Sequence, residues 1–362
     1  MEASFGSFEF DLIRSFFIDS EKKSSSPQPL LSPYSVGLCL SYLSNIVQSD
    51  KSRREIWKSL YTEIGTPFPF FAEGIKKIQN SVEMNCPSLT TANLIFTSMS
   101  PSLLEENEQS FVPQVVNFSI FDTPSSVINK TVKARTNGRI SRIMNPMMRM
   151  LQGNMAMTSV AVFESLWLHK FDGIYDHKFH GFKSSKVVPM MQMTKAIDFC
   201  EDKSCFAIDL PFKEGNVSFM AVMAKKKGEK QFYRLLKKFD YSKFTNLIKS
   251  KNKKNMNVII PQFTIETDSF NLIPKLEKLG IHSKLILGSN ANLAHFRQKC
   301  VFCINEKGSV PEVSTAYVRC PKIRTDRFSF NRPFLFFIVN HDKNIVLFSG
   351  VMTNPALDEL SD

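Results

Sequence analysis

The sequence predicts an α+β fold with mostly antiparallel or mixed sheets, on three observations. Helix-period apolar patterns dominate the early part of the chain, and strand-like runs dominate the late part. That segregation excludes the regular alternation of a parallel, doubly wound sheet. The third is size: 362 residues with 43% hydrophobic content suffice to bury a large core. No Gly/Ser-rich linker, long proline run or internal repeat divides them, so residues 1–362 read as one domain.

The elements follow in order. Phe8–Phe17 has helical period, and "EKKSSSPQP" (Glu21–Pro29) reads as a surface loop. After the turn "LSPYS", helical period returns at Ser35–Val47, then at Phe71–Ile78 and Val127–Met144. "LTTANLIFTS", "MAMTSVAVF", "FAIDLPF" and "VSFMAVMA" are strand-like. "HKFDGIYDHKFH" (His169–His180) reads as a turn-rich connector. Glu229–Lys238 and Leu272–Leu279 are the remaining helices, the latter stopped by Gly280. Between and after them come "NVIIPQFTIET", "CVFCIN", "FLFFIVN" and "IVLFSGVM".

One stretch resists this reading. Between Ile304 and Phe334 a long polar segment without apolar period separates two strands, and it holds Arg319, Lys322 and Arg324. Connections in compact domains are short, so a long one is functional or disordered.

Several function classes find no support. The N-terminus, interrupted by Glu2, Glu9 and Asp11, lacks the pattern of a secretory signal, and no apolar run is long enough for a membrane helix. The seven cysteines are an odd number, which favours a reducing compartment and a cytoplasmic location; export by an unconventional route is the alternative. Asn117, Asn129 and Asn216 begin N-x-S/T triplets, which matter only on export. There is no glycine-rich phosphate loop or G-x-S-x-G elbow, and nothing nominates a nucleophile–base pair, so an enzyme reading has no support. His169, His177 and His180 lie near Asp172 and Asp176 but match no closed zinc spacing. Cys300 and Cys303, three apart in a strand, point to opposite faces and cannot chelate together; Cys200 and Cys205 add little. No metal or cofactor is expected.

The net charge of +12 is concentrated: Lys225–Lys254 holds twelve Lys/Arg against Glu229 and Asp240. Lys225, Lys226, Lys227, Lys230, Lys237, Lys238, Lys253 and Lys254 are the candidate contacts for a polyanion, heparin-like or otherwise. The alternative is a solvated helix back, with Phe232, Leu235, Leu236 and Phe239 as the buried face.

A family resemblance rests on motifs spread along nearly the whole chain. "CINEKGS" (Cys303–Ser309) resembles the hinge entering the reactive-centre loop of the serpins, and "FNRPFLFFIVNHDKNIVLFSGVMTNP" (Phe330–Pro355) resembles their C-terminal signature. "LLSPYSVGLCLSYL" (Leu30–Leu43), "LTTANLIF" (Leu89–Phe96), "INKTVKARTNGRISRI" (Ile128–Ile143) and "VVPMMQM" (Val187–Met193) are similar to family segments. So are "FAIDLPFKEGNVSFMAVM" (Phe206–Met223) and "VIIPQFTIETDSFNLIPKLEKLGI" (Val258–Ile281), all in the family's order. The resemblance implies a single serpin domain of three β-sheets and about nine helices. Its exposed reactive-centre loop would cover about residues 306–330.

It also implies a suicide inhibitor rather than an enzyme. A target protease cleaves the loop, becomes trapped as an acyl-enzyme, and is dragged as the freed segment inserts into the large sheet. The uncut fold is then held kinetically above its lowest free energy. Family spacing from Gly308 to Phe330 puts the reactive bond at Lys322–Ile323, suiting a trypsin-like serine protease, with a cysteine protease as a further target class. Arg324–Thr325 and Arg319–Cys320 are rival bonds, and Cys320 beside them is either a regulatory thiol or incidental. A monomer is expected.

The hinge comprises Glu306, Gly308, Ser309, Pro311, Val313 and Thr315. On insertion Ser309, Pro311, Val313 and Thr315 face the core, while Val310, Glu312, Ser314 and Ala316 face outward, with Glu312 on the wet side. Pro311 lacks the N–H that a central strand needs, and Pro311, Glu312 and Val313 depart from the small residues of inhibitory relatives. Trp167 and Gln298 align where the family's sheet-opening region carries Asn and His. These departures sustain a second reading: a non-inhibitory serpin-fold binding or chaperone-like protein, cleaved as a substrate.

Overall fold

The strand Ala291–Ile304 organises the larger half of the molecule. Its side chains Phe296, Gln298, Cys300 and Phe302 are fully buried, as alternation with one face on a core requires. It lies between Phe263–Glu266, antiparallel, and Asn154–Phe163, parallel; the sheet continues through Leu94–Thr97 to Gln114–Asn117. The computed structural model describes residues 6–20, 28–47, 49–60, 68–97, 114–117, 123–147, 154–214, 216–282, 286–287, 291–310 and 326–355.

A second sheet has nine strands. Its order is Leu30–Leu31, Ile345–Met352, Phe334–Asn340, Val217–Ala224, Cys205–Pro211, Ser185–Glu201, Asn252–Pro261 and Asp326–Ser329. Ser185–Glu201 is seventeen residues long and serves two partners on one side: its start pairs with Gly173–His180 and its end with Cys205–Pro211. The third sheet is a single short pairing, Gly308–Ser309 against Ser165–Leu166.

Eight helices occur among the described residues: Gly6–Ser20, Pro33–Ile46, Asp50–Leu60, Phe68–Asn85, Pro124–Arg135, Glu229–Lys237, Tyr241–Lys249 and Ile273–Lys278. The "LSPYS" turn is a helix start. Ser32 Oγ accepts the N–H of Ser35, and Pro33 sits in the first turn, where a missing N–H is harmless. Helix Pro124–Arg135 covers the outer face of the large sheet, where Ile128 and Val132 join Ala156, Val160 and Val162 in one buried cluster. Met155, Met157, Ala161 and Phe163 face the main core on the other side, so Asn154–Phe163 is dry on both faces.

Three local expectations need correction. The helix expected over Val127–Met144 ends at Arg135, because Asn137 and Gly138 take left-handed backbone at φ 49° and 80°. Ile140, Ile143 and Met144 still bury, and Asn129 Oδ1 accepts from the N–H groups of Ile143 and Met144, pinning that segment back to helix Pro124–Arg135. "HKFDGIYDHKFH" is no turn-rich connector but contains the eight-residue strand Gly173–His180. Helices Asp50–Leu60 and Tyr241–Lys249 went unread within charged sequence; the second begins at Asp240, whose Oδ1 accepts from Lys243 N at 2.8 Å. Most of the Glu21–Pro29 segment lies outside the described residues.

Candidate functional site

The seam between Ala291–Ile304 and Asn154–Phe163 and the turn at its upper end form the candidate site. The seam is a parallel ladder running from Asn292↔Asn154 to Val301↔Val162. Beyond Ile304 the chain reverses in a tight turn: Asn305 N donates to Gly308 O at 2.9 Å and Gly308 N returns to Asn305 O at 3.2 Å. Asn305 also uses its side chain, as turn asparagines do: Oδ1 accepts from the N–H groups of Lys307 and Gly308, and Nδ2 donates to Val310 O. Trp167 closes the turn from the other strand. Its Nε1 donates to Asn305 O at 2.7 Å and its N–H to Lys307 O at 2.9 Å, while its ring stacks on Phe212. Glu306 accepts from Gln262 Nε2 at 2.8 Å.

Gly308 is required by this geometry. At φ 155°, a Cβ there would lie 2.1 Å from Ser165 O and 2.6 Å from Leu166 Cα, both backbone atoms. The next residue, Ser309, is fully buried and donates its hydroxyl to Phe163 O at 2.8 Å. Gly308 and Ser309 pair antiparallel with Leu166 and Ser165, so the chain already enters the mouth of the seam.

Lower in the seam, Gln298 stands opposite Ser159, fully buried. Its Nε2 donates to Ser159 Oγ and to Ser32 O, each at 3.0 Å, while its Oε1 has no partner. Ser159 Oγ donates to Ser35 Oγ, and Ser35 Oγ to Asn93 Oδ1. The network therefore ties both seam strands to helix Pro33–Ile46. Of the two residues aligned with the family's sheet-opening region, Gln298 lies in this network, facing Ser159, and Trp167 lies eight residues beyond Ser159, at the turn.

Glu312, expected on the outward face of an inserted hinge, lies outside the described residues. The reactive bond Lys322–Ile323, its rivals Arg324–Thr325 and Arg319–Cys320, and the hinge residues Pro311, Val313 and Thr315 lie outside the described residues.

Elsewhere the chemistry is structural. Ser218 Oγ is 2.7 Å from His341 Nε2, and the same nitrogen is 3.2 Å from Asp209 Oδ2. A catalytic relay places serine and carboxylate on different ring nitrogens. Here both use Nε2, and Ser218 donates to Asp209 directly. Burial pushes the Asp209 carboxyl up, but His341 and Lys251 outweigh it and hold the group at about 2. Among the described residues no cluster of three His, Cys, Asp or Glu side chains has metal-binding geometry. His177 has its pKa lowered by burial and by Arg327.

The basic segment divides. Phe232, Leu235, Leu236 and Phe239 are buried, as a solvated-back helix predicts. Lys225 pairs with Glu201 at 2.6 Å, and Lys243 and Lys251 pair with Asp202 and Asp209, so these three are committed. Lys226, Lys227, Lys230, Lys237, Lys238, Lys253 and Lys254 are exposed.

The family model Serpin (serine protease inhibitor) matches residues 5–355. The chain belongs to the serpin family. Serpin A3-7 of Bos taurus is 25% identical, aligned over 97% of this chain and 89% of its own length. An uncharacterized serpin-like protein of Thermococcus kodakarensis is 24% identical over 63% of this chain, which spans 56% of that relative. Among solved structures, thyroxine-binding globulin in complex with thyroxine superposes with a TM-score of 0.82 at 19% identity, covering 98% of this chain and 99% of its own. Mouse protein-Z dependent protease inhibitor gives 0.81 at 18%, covering 98% and 97%. This serpin therefore shares its fold with a thyroxine-binding globulin and with a protease inhibitor alike. Asn305, Ser159 and Phe163 are site residues that the sequence did not nominate. Asn305 carried a signal, an Asn opening a turn before Glu-Lys-Gly, whereas the carbonyl of Phe163 carried none.

Proposed function

We propose that this serpin is a suicide inhibitor of a trypsin-like serine protease, and not an enzyme. The observation that carries the reading is Ser309, already buried at the mouth of a seam between two parallel strands. Parallel neighbours leave room for one antiparallel strand between them, and an entering hinge has that direction.

In the proposed reaction the protease's serine hydroxyl attacks the carbonyl carbon of Lys322. The bond to Ile323 breaks, the proton passes to the departing amine, and an ester joins protease and Lys322. At about 3.3 Å per residue, the fifteen residues from Gly308 to Lys322 reach roughly 50 Å. That exceeds the ten-residue strand Asn154–Phe163, roughly 33 Å long. Insertion would thus carry the ester-bound protease to the far end of the sheet. Each inserted residue with an N–H exchanges a one-partner backbone for a two-partner one, which supplies the driving force.

The second reading, a non-inhibitory binding module, is favoured by Pro311 and by the Gln298–Ser159 network that laces the seam. In it the exposed lysines of the basic segment serve as a polyanion surface; retention on heparin that survives neutralising Lys226 and Lys227 removes those two from it.

Trypsin separates the readings. An inhibitor leaves a covalent complex stable in hot detergent. Clean cleavage after Lys322 with free, active protease overturns the first reading and leaves the second.

A further inference from the structure

A cavity of about 270 Å³ opens between the hairpin turn after Gly173–His180, the start of helix Glu229–Lys237 and the turn before Phe334–Asn340. His180, Phe182, Lys226, Lys227, Phe232 and Arg332 line it. It lies away from the seam, and the protease-trapping reaction makes no use of it.

Its charge is strongly one-sided. Lys226 and Lys227 have no ion-pair partner among the described residues, unlike Lys225 beside them. Arg332 is half-buried with one hydrogen bond, from Nη2 to Ala224 O at 2.8 Å; its Nε is buried without an acceptor. Burial lowers the Arg332 pKa, the sign of a guanidinium short of a counter-charge. The helix adds backbone donors. Gly228 precedes its first turn without any side-chain cap, and a Cβ at that glycine would meet nothing within 4 Å, so the approach to the Glu229 and Lys230 N–H groups is open. Glu229, the one acid in the lining, is exposed and outnumbered by three cations. His180 is held through Nδ1 by Ser185 Oγ at 3.1 Å.

The walls restrict what fits. The rings of Phe182 and Phe232 are tilted at 58° with 5.4 Å between centroids, an apolar surface beside the cations. Ligand pockets for drug-sized molecules run roughly 300–1,000 Å³, so this one suits a single charged group on a single ring. Guanidinium and ammonium groups with free N–H donors match the oxygens of sulfate and phosphate.

We propose that this cavity binds a tetrahedral oxyanion, a sulfate or phosphate ester, whose small ring rests against Phe182 and Phe232. The ester is either a free small molecule or the end group of a sulfated chain. The proposal holds whether or not the loop traps a protease.

Thermal-shift titrations with inorganic sulfate, inorganic phosphate and a sulfated disaccharide test it. Sulfate and phosphate also stabilise proteins without a site, and a basic protein responds to any anion. Lys51→Gln/Lys58→Gln, which removes two exposed charges on helix Asp50–Leu60, outside the cavity and the basic segment, measures that background. The expected result is that Lys226→Gln/Lys227→Gln raises the apparent Kd for all three probes about tenfold or more, as loss of a charge-assisted hydrogen bond implies. The control pair should leave it unchanged. Arg332→Gln should act like the lysine pair, which alone decides the matter should that variant not fold. Equal shifts in wild type, lysine pair and control, or no shift with any probe, overturn the site. Tighter binding of the disaccharide than of inorganic sulfate supports the ring contact with Phe182 and Phe232; equal binding overturns that contact and assigns the cavity to the free oxyanion.

Discussion

The hydroxyl of Ser309 donates to the main-chain carbonyl of Phe163 at 2.8 Å, inside the mouth of the seam. That carbonyl points into the seam because its neighbours point away: Glu164 N donates to Ser88 O and Ala92 N to Val160 O on the opposite edge. Trp167 N to Lys307 O, and the pairings Gly308↔Leu166 and Ser309↔Ser165, fix an antiparallel register. Were the hinge to insert in this register, Pro311 would come opposite Phe163, where the ladder calls for a donor and proline has none. Ser309 Oγ would then be the donor to the Phe163 carbonyl that Pro311 is unable to supply.

The first prediction is a coupling between these two residues. Replacing Pro311→Ala restores a ladder donor, and the fraction of trypsin trapped rather than released should rise about fivefold, for one hydrogen bond of about 1 kcal/mol. Ser309→Ala should lower that fraction in the presence of Pro311 and have little effect beside Pro311→Ala. Strictly additive effects in the double-mutant cycle would show that Ser309 and Pro311 do not share the Phe163 carbonyl.

Glu312 supplies the second. A hinge inserted in that register would bring it against Val162, which lies beneath helix Pro124–Arg135 two residues before Glu164, the partner of Arg139 at 2.6 Å. A carboxylate entering there is desolvated beside Glu164, which resists insertion. Glu312→Ala should increase trapping, and the gain should be larger at low ionic strength. Trapping that is indifferent to Glu312 would place the inserted strand in another register.

The third concerns the Gln298–Ser159 bond. In uncut protein it spans the seam directly, at 3.0 Å, while an inserted strand would separate the two residues. Gln298→Leu should therefore lower the melting temperature of intact protein, by the equivalent of about 2 kcal/mol for two orphaned partners. The nicked form should lose less. Equal losses in both forms would mean that the bond does not guard the seam. The same comparison on unmutated protein asks whether nicking raises heat resistance at all, as a kinetically held fold requires.

The sequence carried the architecture well where side-chain period was strong. Phe334–Asn340 and Ile345–Met352 are continuous apolar runs, buried on both faces, and their ends coincide with the strands. Ser185–Glu201 was illegible because its exposed start, with Lys186 and Val187 in water, breaks alternation, and only pairing with Gly173–His180 defines it. At the site, Gly308 and Ser309 were visible through the family motif. Their partners were not, because they are backbone atoms: Ser165 O, Leu166 Cα and Phe163 O carry no residue-type signal. Ser159 was missed because a small hydroxyl in a strand is ordinary until its opposite number is known.

The buried ion cluster gives a prediction with acid. Asp209, 3% exposed, is held at about 2, below its ordinary 3.8, once His341 and Lys251 overcome its burial. A depressed carboxyl stabilises the fold above its unfolded value and loses that contribution as pH falls through about 2, some 2 kcal/mol in all. Asp209→Asn should cost about 3 kcal/mol near neutrality, because Lys251 and His341 are left facing each other without the carboxylate. In urea titrations the variant's deficit should shrink toward pH 2; a deficit constant with pH would contradict this account.

Glu9 runs the opposite way. It sits on helix Gly6–Ser20, 1% exposed, with Oε2 accepting from Val346 N at 3.3 Å and Oε1 without a partner. Burial raises its pKa from 4.5 to about 8, against the smaller lowering by the Val346 N–H. A raised carboxyl binds its proton more tightly folded than unfolded, so stability falls as pH rises from 4.5 to about 8 and is level above that. The loss by neutral pH is about 3 kcal/mol. Glu9→Gln keeps the shape and a neutral amide, so it should raise the melting temperature at pH 8 and change it little at pH 4. Melting curves at the two pH values check the sign: stabilisation greater at pH 4 than at pH 8 would mean that Glu9 is ionised and paired in the native helix.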